Sequence, residues 1–235
     1  MSGGAQNRST AVMQRRREPH DSLDDFPTPP WAVRALCEHL QNPADRLPGD
    51  ASPRRGPAHA PTTWRMVVRE PAANRGYMAR PLAEYFCGVE ASDVHDYGVG
   101  YPVRDFLFPE PLLRLDWTIT NPPFRLAEAF IKRARETSTH GVAVIVRTAF
   151  LEGKGRYDRL FRRWRPNRVL QFSERVVMQK GRVTADGASA TAYAWLVWDW
   201  VLKPAAETRF EWIAPCRQRL ERPGDYDPWP QEVVA

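Results

Sequence analysis

The feature that most constrains this chain is a short strand-like run that ends on an amide, two prolines and an aromatic ring. Residues 116–124 read Asp-Trp-Thr-Ile-Thr-Asn-Pro-Pro-Phe, and a helix-like segment follows over residues 125–137. Proline pushes the residue before it out of the helical region, which predicts an extended Asn121 at the end of the strand. The Asn121 side-chain oxygen and the Pro122 carbonyl can accept hydrogen bonds, beside the flat ring of Phe124. The stretch suits a planar amino group attached to a π-system, although a plain surface turn also accounts for it.

Asn121, Pro122, Pro123 and Phe124 resemble the catalytic tetrapeptide of S-adenosylmethionine-dependent amino-methyltransferases. These enzymes modify exocyclic amino nitrogens of bases and, in some branches, a glutamine side chain. The amino lone pair of adenine is delocalised into the ring, so the nitrogen is a poor nucleophile. Two acceptors that grip its hydrogens favour a more tetrahedral nitrogen aimed at the methyl carbon, and this gain is electrostatic and positional. The resemblance implies that the four residues are catalytic and that Phe124 stacks on the target base.

Length and composition fit a single α/β domain. The chain has 235 residues, 43% of them hydrophobic, and a net charge of +6 that favours contact with phosphates. No apolar run is long enough to cross a bilayer, and the polar start lacks a secretory signal, which predicts a cytoplasmic protein. The cysteines Cys37, Cys87 and Cys216 show no metal-ligand spacing, so no metal site is predicted.

The chain divides into three predicted parts. Residues 1–23 are polar and contain three consecutive arginines, which predicts a disordered basic arm. The methyltransferase domain is expected over residues 24–203, with a flexible Pro- and Gly-rich linker at 42–61 inside it. Residues 204–235 are interpreted as a C-terminal tail.

A second motif precedes the linker. Thr28 is followed by two prolines and by a helical apolar pattern over residues 32–40, which predicts that Thr28 caps a helix. Phe26, Thr28 and Pro29 resemble the Phe-x-Thr-Pro segment of gamma-type adenine methyltransferases. The resemblance implies that this segment holds the carboxylate end of S-adenosylmethionine, and a helix N-terminus suits an anion.

A strand, a turn of small residues and a helix are predicted over residues 64–86, the first unit of a doubly wound sheet. Glu70, Pro71, Ala72 and Gly76 match the Glu-Pro-Ala-x-Gly-x-Gly cofactor loop of the same family. Asn74 stands where that loop has its first glycine. Asparagine tolerates left-handed φ better than other non-glycine residues, so the turn is predicted to survive. A relative that has lost cofactor binding through Asn74 remains the alternative.

Acidic residues follow the next predicted strand, over residues 87–93. An acid at the end of the second strand usually binds ribose hydroxyls, and Asp93 is the candidate, with Asp96 as its competitor. The family resemblance further implies that Asp105 accepts from the cofactor's adenine while Phe106 packs on that ring. Asn121 is expected to meet the cofactor at the same edge of the sheet.

Two basic segments are candidates for nucleic-acid contact. A predicted helix over residues 155–164 carries Arg156 and Arg159, which belong either to a solvated face or to a phosphate-tracking surface. The loop over residues 179–189 faces the nucleic acid in related enzymes, which implies that Lys180 and Arg182 contact phosphates. Further strands are predicted at 141–146, 169–172 and 192–198.

The order of these motifs resembles the gamma arrangement. It implies an α/β, Rossmann-like class I methyltransferase fold with a seven-stranded, mostly parallel sheet, an antiparallel terminal pair and helices on both faces. The implied reaction moves a methyl group from S-adenosylmethionine to N6 of adenine in DNA, single-stranded or with the base flipped from a duplex. Little chain remains for target recognition, so a short or relaxed sequence specificity is expected, similar to solitary phage or mobile-element enzymes. RNA, cytosine N4, a protein glutamine, and a non-catalytic nucleic-acid-binding role are the alternatives.

Overall fold

The computed structural model describes residues 23–41, 62–187, 189–200 and 207–227. The predicted basic arm, except for Leu23, and the predicted linker at 42–61 lie outside the described residues. In the described ranges, no helix is both long and apolar enough to span a membrane.

The core of the protein is one sheet of seven strands. Six strands run parallel and one, β6, runs antiparallel to both of its neighbours. The strands are β1 (Val67–Glu70), β2 (Gly88–Ala91), β3 (Leu115–Thr120), β4 (Ser138–Arg147), β5 (Arg168–Phe172), β6 (Tyr193–Asp199) and β7 (Arg209–Ile213), in the order β2-β1-β3-β4-β6-β5-β7. The predicted seven-stranded, mostly parallel sheet is confirmed.

The end of the sheet differs from the expected antiparallel terminal pair. The last two strands, β5 and β7, are parallel, and the antiparallel strand β6 lies inside the sheet between β4 and β5. Strand β7 comes from the segment that the sequence analysis treats as a tail, so the sheet continues beyond residue 203. Its residues are mostly exposed at the sheet edge. Such a strand lacks the continuous apolar run by which a buried strand is predicted from sequence.

The first strand also begins later than predicted. Trp64 lies in a short 3-10 turn, Thr62–Arg65, and is 50% exposed rather than buried in a strand. Pairing with β2 starts where Val67 lies opposite Gly88 and continues to Glu70 opposite Ala91. The strand therefore carries Glu70 at its carboxyl end instead of leaving it in the loop.

Helices cover both faces of the sheet, as predicted. They are α1 (Pro30–Gln41), α2 (Ala79–Leu82), α3 (Ala127–Thr137), α4 (Lys154–Arg156), which a π-helical turn (Tyr157–Phe161) extends, and α5 (Arg217–Leu220). One core contains Leu36, Leu82 and Leu220, from α1, α2 and α5. The opposite core contains Ile131 from α3 and Leu160 from the π-helical turn.

The strand order places a crevice at the carboxyl ends of the strands. The chain moves from β1 outward to β2 and then returns to the other side of β1 to form β3. The loops that follow β1 and β3 therefore leave in opposite directions. Open α/β sheets bind ligands at such a reversal, beyond the carboxyl ends of the strands.

The buried guanidinium of Arg34 ties the last described segment to α1. It donates to both carboxylate oxygens of Asp225, at 2.7 and 2.8 Å, and to the carbonyl of Leu220 at 2.8 Å. The carboxylate of Glu84 completes the cluster, with its nearest oxygen 2.8 Å from Arg34. Residues 217–225 are thereby part of the folded core rather than an appendage.

We expect Arg34→Gln to lower the free energy of unfolding by about 3–5 kcal/mol, because it leaves the buried Asp225 carboxylate without its cation. Arg219→Gln is the matched control, since Arg219 also joins α5 to α1, through Glu38 at 2.6 Å, but is 61% exposed. That exposed pair should contribute about 0–1 kcal/mol. Urea unfolding of the two variants measures both values, and equal losses would contradict a structural role for the buried cluster.

Candidate active site

A cavity of about 200 Å³ lies at the carboxyl ends of β1, β2 and β3, where the strand order reverses. The predicted site residues that line it are Phe26, Thr28, Pro71, Ala72, Asn74, Asp93, Asp105, Phe106, Asn121 and Pro123. Residues from five separate stretches of sequence thus meet at one place. Tyr77, Met78, Tyr97 and Leu126 also line the cavity, although sequence reasoning gave them no role.

Five of the residues predicted for catalysis or cofactor binding do not line the cavity: Pro29, Glu70, Gly76, Pro122 and Phe124. Pro29 and Pro122 are buried, and Gly76 bends the loop with φ 81°. The ring of Phe124 lies beside the opening, 5.6 Å from the ring of Phe26.

Glu70 is fully buried beneath the loop that follows β1. Its Oε1 atom accepts hydrogen bonds from the Thr120 hydroxyl at 2.7 Å and from the Ala72 N–H at 3.0 Å. Its Oε2 atom has no hydrogen-bond partner among the described residues. Burial is the largest influence on this carboxyl group and raises its pKa to about 8. Glu70 therefore acts as a neutral clamp between β1 and β3, and not as a charged ligand.

Asn74 adopts the left-handed conformation predicted for it, with φ 52°. Its N–H donates to the Asp93 carboxylate at 2.8 Å, and its side-chain amide donates to Asp25 at 2.6 Å. The turn after β1 therefore forms with asparagine in the place of glycine. The Asn74 side chain also gains a contact that glycine lacks.

The structure brings Asp93, and not its competitor Asp96, to the cavity. Asp93 is 8% exposed, and its carboxylate accepts from the N–H groups of Asn74 and His95. Burial raises the pKa of Asp93. Asp96 is exposed, and its carboxylate accepts from the Gly98 N–H at 2.7 Å within its own turn.

Thr28 does not cap α1, contrary to the sequence-based expectation. The helix begins at Pro30, and the Thr28 hydroxyl is buried without a hydrogen-bond partner in the described part of the chain. Pro29 and Pro30 carry no N–H, so the first turn offers few donors to a cap. An unpartnered buried hydroxyl in a cavity wall can instead donate to a ligand, and a carboxylate fits it.

The segment before α1 crosses the cavity and holds the Asn-Pro-Pro-Phe stretch. The side-chain nitrogen of Asn121 donates to the Phe26 carbonyl at 2.7 Å. The side-chain oxygen of Asn121 therefore remains available to accept a hydrogen bond. The Asp24 carboxylate accepts from the Phe124 N–H at 2.5 Å. We call residues 24–28 the strap.

The strap is fixed by Asp25, which sequence reasoning missed together with Asp24. The Asp25 carboxylate accepts from Asn74 and from Arg75, the latter at 3.0 Å, and its carbonyl accepts from the Gly181 N–H at 2.8 Å. The available signal was the acidic pair directly ahead of the Phe-x-Thr-Pro segment. One residue thus joins the strap to the turn after β1 and to the loop after β5.

Arg147 at the end of β4 was also missed. Its guanidinium carbon lies 3.8 Å from the centre of the Phe124 ring and 5.7 Å from that of Phe26. A planar cation thus covers one face of the aromatic ring in the Asn-Pro-Pro-Phe stretch. A base that stacks on this ring must use the other face or displace Arg147.

Asp105 and Phe106 form the wall opposite the strap. Phe106 is buried, with its ring 5.2 Å from that of Phe130 in the core on the α3 face. Asp105 is exposed at the rim, and its carboxylate accepts from the Leu107 N–H at 2.8 Å. An apolar wall with an acceptor at its rim suits a flat ring that bears an amino group.

The four predicted phosphate contacts fall into two pairs. Arg182 and Lys180 are both exposed in the loop that Gly181 joins to the strap, and the Nε of Arg182 donates to Gln179 at 2.8 Å. Arg159 forms two hydrogen bonds of 2.9 Å with Glu128 of α3.

The Arg156 side chain makes its contacts within the fold. It donates to the carbonyls of Phe150 and Glu152, both at 2.7 Å, and its guanidinium stacks on the Phe150 ring at 4.0 Å. Arg168, from the same basic stretch of sequence, is 2% exposed and donates to the His39 carbonyl. The basic surface is therefore smaller than the sequence indicates.

Comparison with known proteins identifies the fold. No protein-family model matches the chain, and no curated protein matches it in sequence. It resembles the crystal structure of a class I S-adenosylmethionine-dependent methyltransferase from Listeria monocytogenes, with a TM-score of 0.56 and 11% identity over 81% of this chain and 67% of that one. It also resembles a modification subunit of a type I restriction enzyme from Vibrio vulnificus, with a TM-score of 0.52 and 14% identity.

The second match covers 84% of this chain and 49% of the modification subunit, so the chain spans about half the length of that protein. At these identities the similarity concerns the fold. Together with the seven-stranded sheet, it confirms the predicted Rossmann-like class I methyltransferase fold.

We expect the stability of the protein to fall as pH rises from about 4.5 to about 8, because Glu70 keeps its proton in the folded state and loses it in the unfolded chain. One such group contributes a slope of up to about 1.4 kcal/mol per pH unit, with no further loss above pH 8. Glu70→Gln should remove this slope, since glutamine is neutral at every pH. Urea unfolding between pH 5 and pH 8 compares the two proteins, and parallel curves would exclude Glu70 as the source.

Proposed function

We propose that the protein transfers a methyl group from S-adenosylmethionine to the N6 amino group of adenine in DNA. One observation carries the proposal: the turn after β1, the acidic end of β2 and the Asn-Pro-Pro-Phe stretch after β3 line a single cavity. The fold supports methyl transfer in general. The adenine acceptor is inferred from the geometry of Asn121 and its neighbours.

The residues around the cavity fit the proposed cofactor. When bound, S-adenosylmethionine supplies a methyl carbon that its sulfonium makes electrophilic. The unpartnered hydroxyl of Thr28 suits the cofactor carboxylate, and the Asp93 carboxylate keeps acceptor capacity for ribose hydroxyls beyond its backbone partners. Asp105 and Phe106 suit the adenine ring.

The Asn-Pro-Pro-Phe stretch orients the target amino group. The hydrogen bond from the Asn121 nitrogen to the Phe26 carbonyl fixes the amide, so that its oxygen is the end that accepts from a substrate. The carbonyl of Pro122 supplies the second acceptor. Two hydrogen bonds to the amino hydrogens direct the nitrogen lone pair toward the methyl carbon. The proton that the nitrogen releases passes to solvent, so a strong general base is not required.

Charge supports a nucleic-acid acceptor. The chain has a net charge of +6, and Lys180 and Arg182 are the neighbours of Gly181, whose N–H bonds the strap at Asp25. Duplex adenine is stacked and paired, so the base must be extruded or the strand must already be single. Phe124 then offers an aromatic face to the base once Arg147 moves aside or the base takes the other face.

The direct test is nucleoside mass spectrometry after incubation with S-adenosylmethionine and either unmethylated duplex DNA, single-stranded DNA or RNA. N6-methyladenine in DNA is the expected product. Methylation confined to RNA or to cytosine would keep the chemistry and replace the acceptor. Absence of product together with absence of cofactor binding in calorimetry would favour a non-catalytic nucleic-acid-binding protein.

We expect Asn121→Ala to lower turnover by about two orders of magnitude or more, because it removes a preorganised acceptor on the target amino group. Affinity for the cofactor should be nearly unchanged. Single-turnover kinetics with saturating cofactor measure the first effect, and calorimetry measures the second. Unaltered turnover would reduce the Asn-Pro-Pro-Phe stretch to a structural turn.

We expect Asp93→Ala to weaken cofactor binding by about 1–3 kcal/mol, the usual effect of losing a buried polar partner. Asp96→Ala is the matched control, because it removes a nearby carboxylate that is exposed and does not line the cavity. Calorimetric titration of both variants separates the two residues. A loss of affinity in the Asp96 variant alone would transfer the ribose role to Asp96.

A further inference from the structure

Two large aromatic side chains stand exposed on the last strand of the sheet. Phe210 is 50% exposed and Trp212 is 69% exposed, and Trp212 is the most exposed aromatic side chain in the described part of the chain. They lie two residues apart on β7, so they point to the same face. Their ring centroids are 4.9 Å apart, and the rings meet edge to face.

This aromatic pair continues an apolar surface that the helices do not cover. Val169 lies opposite Phe210 in the β5–β7 pairing, and its side chain belongs to the core beneath the π-helical turn. A groove of about 240 Å³ lies between that turn and the edge of the sheet, with Tyr157, Val169 and Thr208 in its lining. Tyr157 is itself 51% exposed. We call Tyr157, Phe210 and Trp212 the aromatic edge.

The charge beside the aromatic edge is positive. Over residues 154–168, five basic side chains and one acidic side chain are exposed, and of the five Arg159 is paired with Glu128. Arg165 lines the groove, and Arg162 and Arg163 are exposed in the turn above it. No carboxylate among the described residues pairs with Arg162 or Arg163.

The acidic side chain of β7 points away from this surface. Glu211 lies opposite Leu170, which belongs to the core on the α1 face. The face that carries Phe210 and Trp212 therefore combines exposed rings with arginines and without the carboxylate of its own strand.

We infer that the aromatic edge and its flanking arginines form a second nucleic-acid site, which binds unpaired bases and their phosphates. Unpaired bases stack on exposed aromatic rings whatever their identity, and arginines neutralise the phosphates between them. The excess of positive charge favours a polyanion over a protein partner. The inference extends the nucleic-acid substrate proposed above.

The position of the site suits a nucleic-acid strand that also reaches the cavity. Strand β7 runs in the same direction as β1 and β3. Trp212 therefore lies near the carboxyl ends of the strands, which is the end of the sheet where the cavity lies. Strands β4, β6 and β5 separate β7 from β3, so an unpaired stretch held there would be sequence that flanks the target base and not the target itself. The site therefore acts in substrate binding, and none of its residues is assigned to the methyl-transfer step.

The test uses an oligothymidine of about 15 nucleotides, within the range that single-stranded binding sites span. Thymine has no exocyclic amino group, so this probe is not a methyl acceptor, and binding is measured without cofactor. We expect the double variant Phe210→Ala/Trp212→Ala to bind it about tenfold more weakly in fluorescence anisotropy, from the loss of base stacking. Trp64→Ala is the matched control, because Trp64 is also 50% exposed but lies ahead of the amino end of β1.

A second variant tests the charged part and does not disturb the sheet. Arg162→Gln/Arg163→Gln should weaken binding and reduce the slope of log affinity against log salt by about 1.4, the value for two phosphate contacts on a single strand. If circular dichroism shows that loss of both rings unfolds the protein, this arginine pair alone decides the outcome.

Unchanged oligothymidine affinity in the folded variants would overturn the inference. A dimer in light scattering that the Phe210/Trp212 variant abolishes, with oligothymidine affinity unaltered, would assign the surface to a second copy of the chain. Failure of methyl transfer leaves this measurement unaffected, because the probe cannot be methylated. The proposed methyl transfer and the proposed second nucleic-acid site are therefore tested separately.

Discussion

The candidate site depends on one buried carboxyl group. Glu70 joins the ends of three strands: its side chain accepts from Thr120 of β3 and from the loop N–H of Ala72, and its backbone carbonyl accepts from the Ser92 N–H after β2. A charged group in this place would need a cation, and none of its hydrogen-bond partners is charged. Because burial keeps it protonated, Glu70 can draw the three strand ends together at low electrostatic cost.

The strap completes the site from a distant part of the sequence. Asp24, Asp25 and Phe26 bond to residues 49 to 100 positions away, on the turn after β1 and on the Asn-Pro-Pro-Phe stretch. A cofactor held by Thr28 and a base held by Asn121 would therefore share one short connecting segment.

The features that sequence reasoning anticipated are those with a local cause. The tolerance of asparagine for positive φ indicated the turn at Asn74. The strap contacts were missed because their partners are far apart in sequence. Strand β7 was missed because a half-exposed edge strand has no apolar run, and the burial of Arg168 was missed because composition does not show which arginines face inward.

The Arg34 cluster makes completion of the fold depend on the order of synthesis. Arg34 and Asp225 are 191 positions apart, so a nascent chain carries the arginine for about 10 to 40 s before its partner is made. Helix α1 begins two residues after Thr28, and until Asp225 is made the only acidic partner of its buried cation is Glu84, which follows Arg34 by 50 positions. The contact between α1 and residue 225 is thus among the last to form in a newly made chain, after every residue that lines the cavity has been synthesised.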